Sequence, residues 1–218
     1  MYKFMQTFVR ITGVLPYLLI FRTKVYYQKN AIKGSKLKGP AIVYANHTSL
    51  YDFAQMLFLF PFRFIRCLMA ELLFKKPVLG PFLKSMGGLE VQRDSHDFSF
   101  LHKTDLILEK GGLVCAFPEA RIPKEGEALP LPFKPSTAYI ALKSGAPLIP
   151  VYSTGYYFCK QKNYVIIGEP IYVEDIFDND LTEKENVEKI NTVMRNKIIE
   201  MENELKERIN QGKKGKKA

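Results

Sequence analysis

From Gly39-Pro40 onward, short apolar runs alternate with longer amphipathic stretches. The run AIVYAN (41–46) is apolar up to its last residue, the signature of a strand buried on both faces. Residues 49–60 carry helical spacing and stop at Pro61. FRFIRCLMA (62–70) reads as a second strand, a broken helical stretch follows over 71–86, and GGLEVQR (87–93) alternates as a third strand. A helix over 96–110 ends at Gly111-Gly112, and LVCAF (113–117) is again a continuous apolar strand. A Pro-rich loop occupies 122–135 and a helix over 136–144 ends at Gly145. PLIPVYS (147–153) and NYVIIGEPIYV (163–173) supply further strands, and a polar helix over 182–210 follows. Strands that alternate with helices, several of them wholly apolar, predict an α/β fold with a mostly parallel or mixed sheet flanked by helices. In such sheets ligands bind beyond the carboxyl ends of the strands, which directs attention to the residues after Asn46, Val91 and Phe117.

The first 30 residues follow a different pattern. Phe4, Phe8, Ile11, Leu15, Leu18, Leu19 and Phe21 stand among a few basic residues, and the uncharged run from Ile11 to Phe21 is interrupted by Gly13 and Pro16. A bilayer span needs about 20 mostly apolar residues, so this run is too short and too broken to cross. Arg10 interrupts the apolar region and no small-residue cleavage site follows, which argues against a secretory signal. The expectation is an N-terminal amphiphilic membrane-binding helical segment over 1–30, lying in the interface with its basic residues at the headgroups. The competing reading is a helix packed on the protein's own core. A globular domain over 31–210 and a flexible basic tail over 211–218 complete the division.

Composition narrows the partners. The chain of 218 residues is 47% hydrophobic, enough for one sizeable core. A net charge of +10 suits an anionic membrane surface, a phosphorylated substrate or nucleic acid, and no nucleic-acid-binding signature supports the last. The segment QGKKGKKA could touch lipid headgroups at roughly 1 kcal/mol per cation, or serve only to solubilise. Cys67, Cys115 and Cys159 are odd in number and widely spaced, so they read as reduced core residues of a cytosol-facing protein, with neither a disulfide framework nor a metal site.

The strand–helix junction YANHTSLYD (44–52) carries the sharpest chemistry. One reading makes Ser49 and Asp52 a capping box, with His47 a bystander. The other makes His47 a base and Asp52 its orienting carboxylate. Five residues of continuous helix would leave the two side chains about 140° apart, so they meet only if His47 lies in the entering loop and Asp52 in the first turn. A helix start at Ser49 allows that, and Asp52 is then expected to favour the imidazole over the cap. Arg93 ends the third strand, and FPEAR (117–121) places Glu119 and Arg121 after the fourth, where a local ion pair is the simpler reading of the stretch taken alone. Taken together, a base, a carboxylate and two arginines on one rim fit deprotonation of a hydroxyl on a phosphorylated substrate.

These residues resemble the glycerolipid acyltransferases typified by lysophosphatidic acid acyltransferase. Asn46 to Asp52 matches that family's N-H-x-S-x-x-D block, GGLEVQR resembles its second block, FPEAR its third and APLIPVY its fourth, in family order over residues 41–153. The third block departs from F-P-E-G-T-R: Ala120 stands where glycine is usual and the threonine is missing, as in a shortened form from the branch related to lysophosphatidylethanolamine acylation. The phenylalanine usual in the second block is also replaced. The resemblance implies a peripheral or monotopic acyltransferase domain on the cytoplasmic face of the membrane. It would move an acyl group from an acyl thioester, carried by acyl carrier protein or coenzyme A, to the 2-hydroxyl of 1-acyl-glycerol-3-phosphate, with no cofactor and no metal. His47 and Asp52 would be catalytic, and Arg93, Glu119, Arg121 and Lys134 of LPFKPS would bind the substrate phosphate. Another lysophospholipid acceptor, or a non-catalytic membrane-binding member of the fold, are the alternatives.

Overall fold

The computed structural model describes residues 1–92, 99–158 and 160–214. In chain order the elements are α1 (Tyr2–Ile20), β1 (Lys24–Tyr27), β2 (Ala41–Ala45), α2 (Asp52–Leu59), β3 (Ile65–Ala70), α3 (Glu71–Phe74), α4 (Leu79–Ser85) and β4 (Leu89–Val91). They continue with α5 (Ser99–Glu109), β5 (Leu113–Ala116), α6 (Ser136–Ser144), β6 (Leu148–Ser153), β7 (Tyr164–Ile167) and α7 (Glu183–Lys214). Among the described residues seven strands form one sheet, ordered β1-β7-β6-β2-β5-β3-β4. All neighbours are parallel except β6 and β7, so the sheet is mixed and the expected α/β class holds.

The central strands explain the apolar runs. Side chains of a strand alternate between faces, and both faces of β2 are covered. Ala41, Val43 and Ala45 pack with Met56, Leu59 and Phe60 on the α2 side. Ile42 and Tyr44 pack on the other side with α5, α6 and α7. Helix α7 buries Val187, Ile190, Met194, Ile198, Met201 and Leu205, a recurrence every three or four residues that lays one stripe along the sheet. Each such side chain contributes about 1.5–3 kcal/mol relative to an exposed one.

The expectations differ from the structure at three places. Lys24–Tyr27, inside the stretch expected to be helical, is an edge strand paired in parallel with β7 through Val25 and Val165. Its β-branched and aromatic residues suit a strand, but the run is too short to stand out behind a long apolar helix. Helix α7 continues to Lys214, so the expected tail starts inside a helix, and 215–218 lie outside the described residues. The strand expected over 163–173 ends at Ile167 and returns only as a single bridge between Ile171 and Leu148. Cys67 and Cys115 are buried partners on adjacent strands, and Cys159 lies outside the described residues.

Helix α1 turns three of its polar side chains, Gln6, Arg10 and Tyr17, inward. Gln6, its one buried residue, donates from Nε2 to the carbonyls of Ile65 and Met86, both at 2.7 Å, and accepts from the Ile65 amide at 3.0 Å. Arg10 donates to the carbonyls of Leu57, Phe60 and Arg63 at the end of α2. Tyr17 stacks on Phe58 at 4.2 Å, and its hydroxyl accepts from Gln55. The apolar residues face out, with Phe4 75%, Ile11 70%, Leu15 68% and Leu19 76% exposed, so the core-packing reading fails for the apolar face. Among the described residues no helix is long and apolar enough to cross a membrane.

Gln6→Leu tests this inverted docking. An apolar side chain would leave two carbonyls and an amide unmet, so the variant is expected to lose about 2–3 kcal/mol in urea unfolding despite its greater hydrophobicity. Unchanged stability would mean that these hydrogen bonds do not hold α1.

Candidate active site

The site begins with strand register. β2 and β5 are parallel neighbours with Tyr44 opposite Ala116, so the segments leaving them run side by side and His47 emerges next to Glu119. Glu119 is 4% exposed; its Oε1 accepts from the His47 amide at 3.0 Å and its Oε2 from the Leu131 amide at 3.1 Å. Burial raises its pKa above the usual carboxylate range, against the pull of the two amides and of nearby His47. On the other flank Asn46 and Ser153 of β6 clamp each other, Nδ2 donating to the Ser153 carbonyl and Oδ1 accepting from its amide, both at 2.9 Å.

His47 Nδ1 lies 2.8 Å from Asp52 Oδ2, and the imidazole stacks on Phe117 with ring centres 4.6 Å apart. With Nδ1 turned to a carboxylate, Nε2 is the nitrogen left to take a proton. Asp52 is 1% exposed. Its Oδ2 also accepts from the amides of Thr48 at 2.7 Å and Ser49 at 2.9 Å, and its Oδ1 accepts from Thr48 Oγ1 at 3.0 Å and from the Tyr157 hydroxyl at 2.8 Å. The expected division between cap and imidazole is therefore corrected: one carboxylate serves both. The helix starts at Asp52 rather than Ser49, and Ser49 Oγ accepts from the Tyr51 amide at 3.2 Å instead of closing a capping box.

Tyr157 is the residue that sequence reasoning missed. It lies just beyond β6, and the strand-end rule that selected three other junctions would have reached it had a hydroxyl been weighed as a charge was. Burial and the adjacent Asp52 carboxylate push its phenol well above the ordinary tyrosine range, so it remains a donor. Gly155 permits this approach: at φ +69° it sits against Thr48, and a Cβ there would lie 2.2 Å from Thr48 Oγ1. Behind the site, Asn163 donates to Gln55 at 2.9 Å and Gln55 to Tyr17 at 2.7 Å, linking α2 to α1.

Of the residues expected to hold phosphate, Glu119, Arg121 and Lys134 line one cleft, but Glu119 and Arg121 are each engaged by other protein groups. Arg93 lies outside the described residues. Glu119 spends both oxygens on backbone amides. Arg121 does not pair with Glu119: its guanidinium forks onto Glu127, with both contacts at 2.7 Å, and the pair is exposed. Lys134 is exposed and shares with Arg121 a cleft of about 620 Å³ beyond β3, β4 and β5. Ala120, between Glu119 and Arg121, adopts φ +59°, the left-handed region where glycine is at ease and a Cβ costs about 1–2 kcal/mol.

Two further cavities reach His47. An apolar pocket of about 150 Å³ is lined by His47, Leu50, Phe53, Met69, Leu83 and Phe117. A wider cleft of about 720 Å³ is lined by Asn46, His47, Glu119, Ser153, Tyr156 and Lys162, among others. The Cys115 thiol is no competitor as a nucleophile, because its hydrogen bond with Cys67 and its burial push its pKa well up.

Residues 22–154 match the family model described as Acyltransferase. A 1-acyl-sn-glycerol-3-phosphate acyltransferase of Bacillus subtilis (strain 168) is 30% identical over 138 residues, which cover 61% of this chain and 66% of the relative, just under two thirds of its length. The crystal structure of the 1-acyl-sn-glycerophosphate (LPA) acyltransferase PlsC from Thermotoga maritima is similar with a TM-score of 0.64 at 22% identity, over 92% of this chain and 81% of that one, a likeness of fold.

Glu119→Gln puts an amide group where an acceptor stood. It should lose one of the two backbone contacts, speeding hydrogen exchange at the His47 or Leu131 amide about tenfold, with the sheet amides unaffected. Unaltered exchange at both would show that Glu119 does not hold these loops.

Proposed function

Because the chain belongs to the acyltransferase family, we propose that it acylates the 2-hydroxyl of 1-acyl-glycerol-3-phosphate from an acyl thioester, in phospholipid synthesis. The observation that carries this reading is the 2.8 Å contact between His47 and the buried Asp52, at a point that opens to an apolar pocket. His47 Nε2 takes the hydroxyl proton as the oxygen attacks the thioester carbonyl, and Asp52 stabilises the imidazolium. The tetrahedral intermediate then expels the thiolate, which takes the proton from the imidazolium and leaves as the thiol of coenzyme A or acyl carrier protein. The acyl chain enters among Leu50, Phe53, Met69 and Leu83, and the headgroup lies toward Lys134 and Arg121. Glu119 acts here as a positioning carboxylate for the His47 loop rather than as a phosphate ligand. A second reading, another lysophospholipid as acceptor, is favoured by the shortened third block, in which Ala120 and the missing threonine bring Arg121 to two residues from Glu119.

The membrane reading rests on the inverted helix. Apolar side chains exposed along α1, together with Leu72 at 63% and Val78 at 83%, form a surface that suits the interfacial zone of a bilayer, where an acceptor and product with acyl chains reside. We place this surface on the cytoplasmic leaflet, where the thioester donors are made.

In an assay of palmitoyl-CoA with lysophosphatidic acid, His47→Ala is expected to lower kcat by about 10²–10⁴ and Asp52→Asn by a large part of that, both with native unfolding curves. Full turnover by folded His47→Ala removes it as the base. Parallel runs with lysophosphatidylethanolamine decide between the two acceptors.

Leu15→Ser/Leu19→Ser should weaken sedimentation with phosphatidylcholine vesicles by about tenfold or more, since each leucine contributes about 1.5–3 kcal/mol when buried. Turnover of a short-chain soluble acceptor should be unchanged. Equal sedimentation of the variant and the native chain would sink the interfacial role of α1.

A further inference from the structure

At the end of the sheet opposite His47, a niche of about 430 Å³ is lined by Tyr2 and Lys3 of α1, by Arg63 and Arg66 around the start of β3, and by Lys110 and Gly111 before β5. Its walls carry four cations and no carboxylate. We propose that this niche holds the phosphate of an anionic phospholipid, as a lipid contact separate from the reacting acceptor. The proposal rests on the membrane reading of α1.

The cations differ in what they can offer. Arg63 directs its guanidinium to the carbonyls of Leu37, Gly39 and Gly111, so it contributes charge but little free donor capacity. Arg66 lies with Cζ 4.7 Å from the centre of the Tyr2 ring and donates from Nε to the Gly87 carbonyl at 2.7 Å. Those contacts hold the guanidinium in place, and among the described residues its two terminal nitrogens meet no acceptor. Lys3 sits over the Phe64 ring at 5.7 Å, and among the described residues neither Lys3 nor Lys110 meets a carboxylate. Like charges gathered without a counter-ion repel one another, and a phosphate relieves that repulsion while accepting from Arg66 and the two ammonium groups.

The surroundings select a lipid over a soluble anion. Phe62 lines the niche and is 78% exposed, while Phe4 and Met1, at 75% and 91%, extend the same apolar border onto α1. A phosphate at the niche can therefore keep its acyl chains against an apolar surface. The niche lies at the amino end of β5 and Glu119 beyond its carboxyl end, with Leu113–Ala116, about 10 Å at roughly 3.3 Å per residue, and the following turn between them, so the niche is separate from the site beside His47. Helix α1 runs between the two ends over 19 residues, about 28 Å at 1.5 Å per residue, and reaches the active-site end through Tyr17 and Phe21. Contacts at both ends would hold α1 parallel to the bilayer.

The test is sedimentation of the full chain with vesicles of phosphatidylcholine alone or with three parts in ten phosphatidylglycerol. Each cation near an anionic surface is worth about fivefold in affinity, so Lys3→Gln/Lys110→Gln should lose about thirtyfold on the anionic vesicles and nothing on the neutral ones. The control, Lys189→Gln/Lys197→Gln on α7 across the sheet, removes equal charge and should lose less than threefold. Equal losses by both pairs would reduce the effect to general surface charge and overturn the proposal. If millimolar inorganic phosphate raises the thermal midpoint of the native chain but not of Lys3→Gln/Lys110→Gln, the niche is a soluble-anion site and the lipid assignment falls. Turnover of a short-chain soluble acceptor by Lys3→Gln/Lys110→Gln should match the native chain, so a failure of the proposed reaction and a failure of the niche are read separately.

Discussion

A carboxylate removed from water must be met by donors, and the environment of Asp52 satisfies this condition from two separate parts of the chain, the loop 47–49 and Tyr157. Burying an isolated anion costs several kcal/mol even after relaxation, and each charge-assisted hydrogen bond returns about 1.5–3 kcal/mol. Asp52 gathers five such contacts: the imidazole of His47, the amides of Thr48 and Ser49, the Thr48 hydroxyl and the Tyr157 phenol. Its position at the first turn of α2 adds the favourable end of the helix dipole. The backbone from His47 to Ser49 therefore cannot relax without stripping donors from a buried charge, and that constraint sets the orientation of the imidazole.

The same logic governs how the site is framed. Glu119 and Asn46 fasten the end of β2 to its two neighbours, and each does so through backbone groups that any sequence would present. Side-chain identity matters at the fastening residue and hardly at its partner. Helix α1 obeys a related rule, because Gln6 and Arg10 satisfy carbonyls at element ends that would otherwise be buried without donors. Polar groups are drawn inward there, and the apolar residues are left facing out.

Much of the fold was legible because β2, β5 and β6 are covered on both faces and must be apolar, and because Gly111 and Gly145 mark helix ends. The His47 and Asp52 pairing was legible from the five-residue spacing across a strand–helix junction. Edge strand β1 was not, since four residues beside an apolar helix carry too little periodicity. Arg121 misled because two residues of separation from Glu119 suggested a shared task, whereas the backbone reversal at Ala120 sends one side chain inward and the other to solvent. Tyr157 was hidden because its partner lies 105 residues away, and local patterns do not encode such contacts.

That last separation bears on when the site can exist. His47, Thr48 and Asp52 are neighbours in sequence, but Glu119 joins them across 72 positions and Tyr157 across 105. Ser153, which pins Asn46, belongs to the strand that pairs with β2 and, in antiparallel sense, with β7. A nascent chain that has emerged only as far as α5 holds the histidine and its aspartate without the groups that brace them. The arrangement around the imidazole is thus a property of the finished sheet, and the ribosome must release most of the polypeptide before it can form.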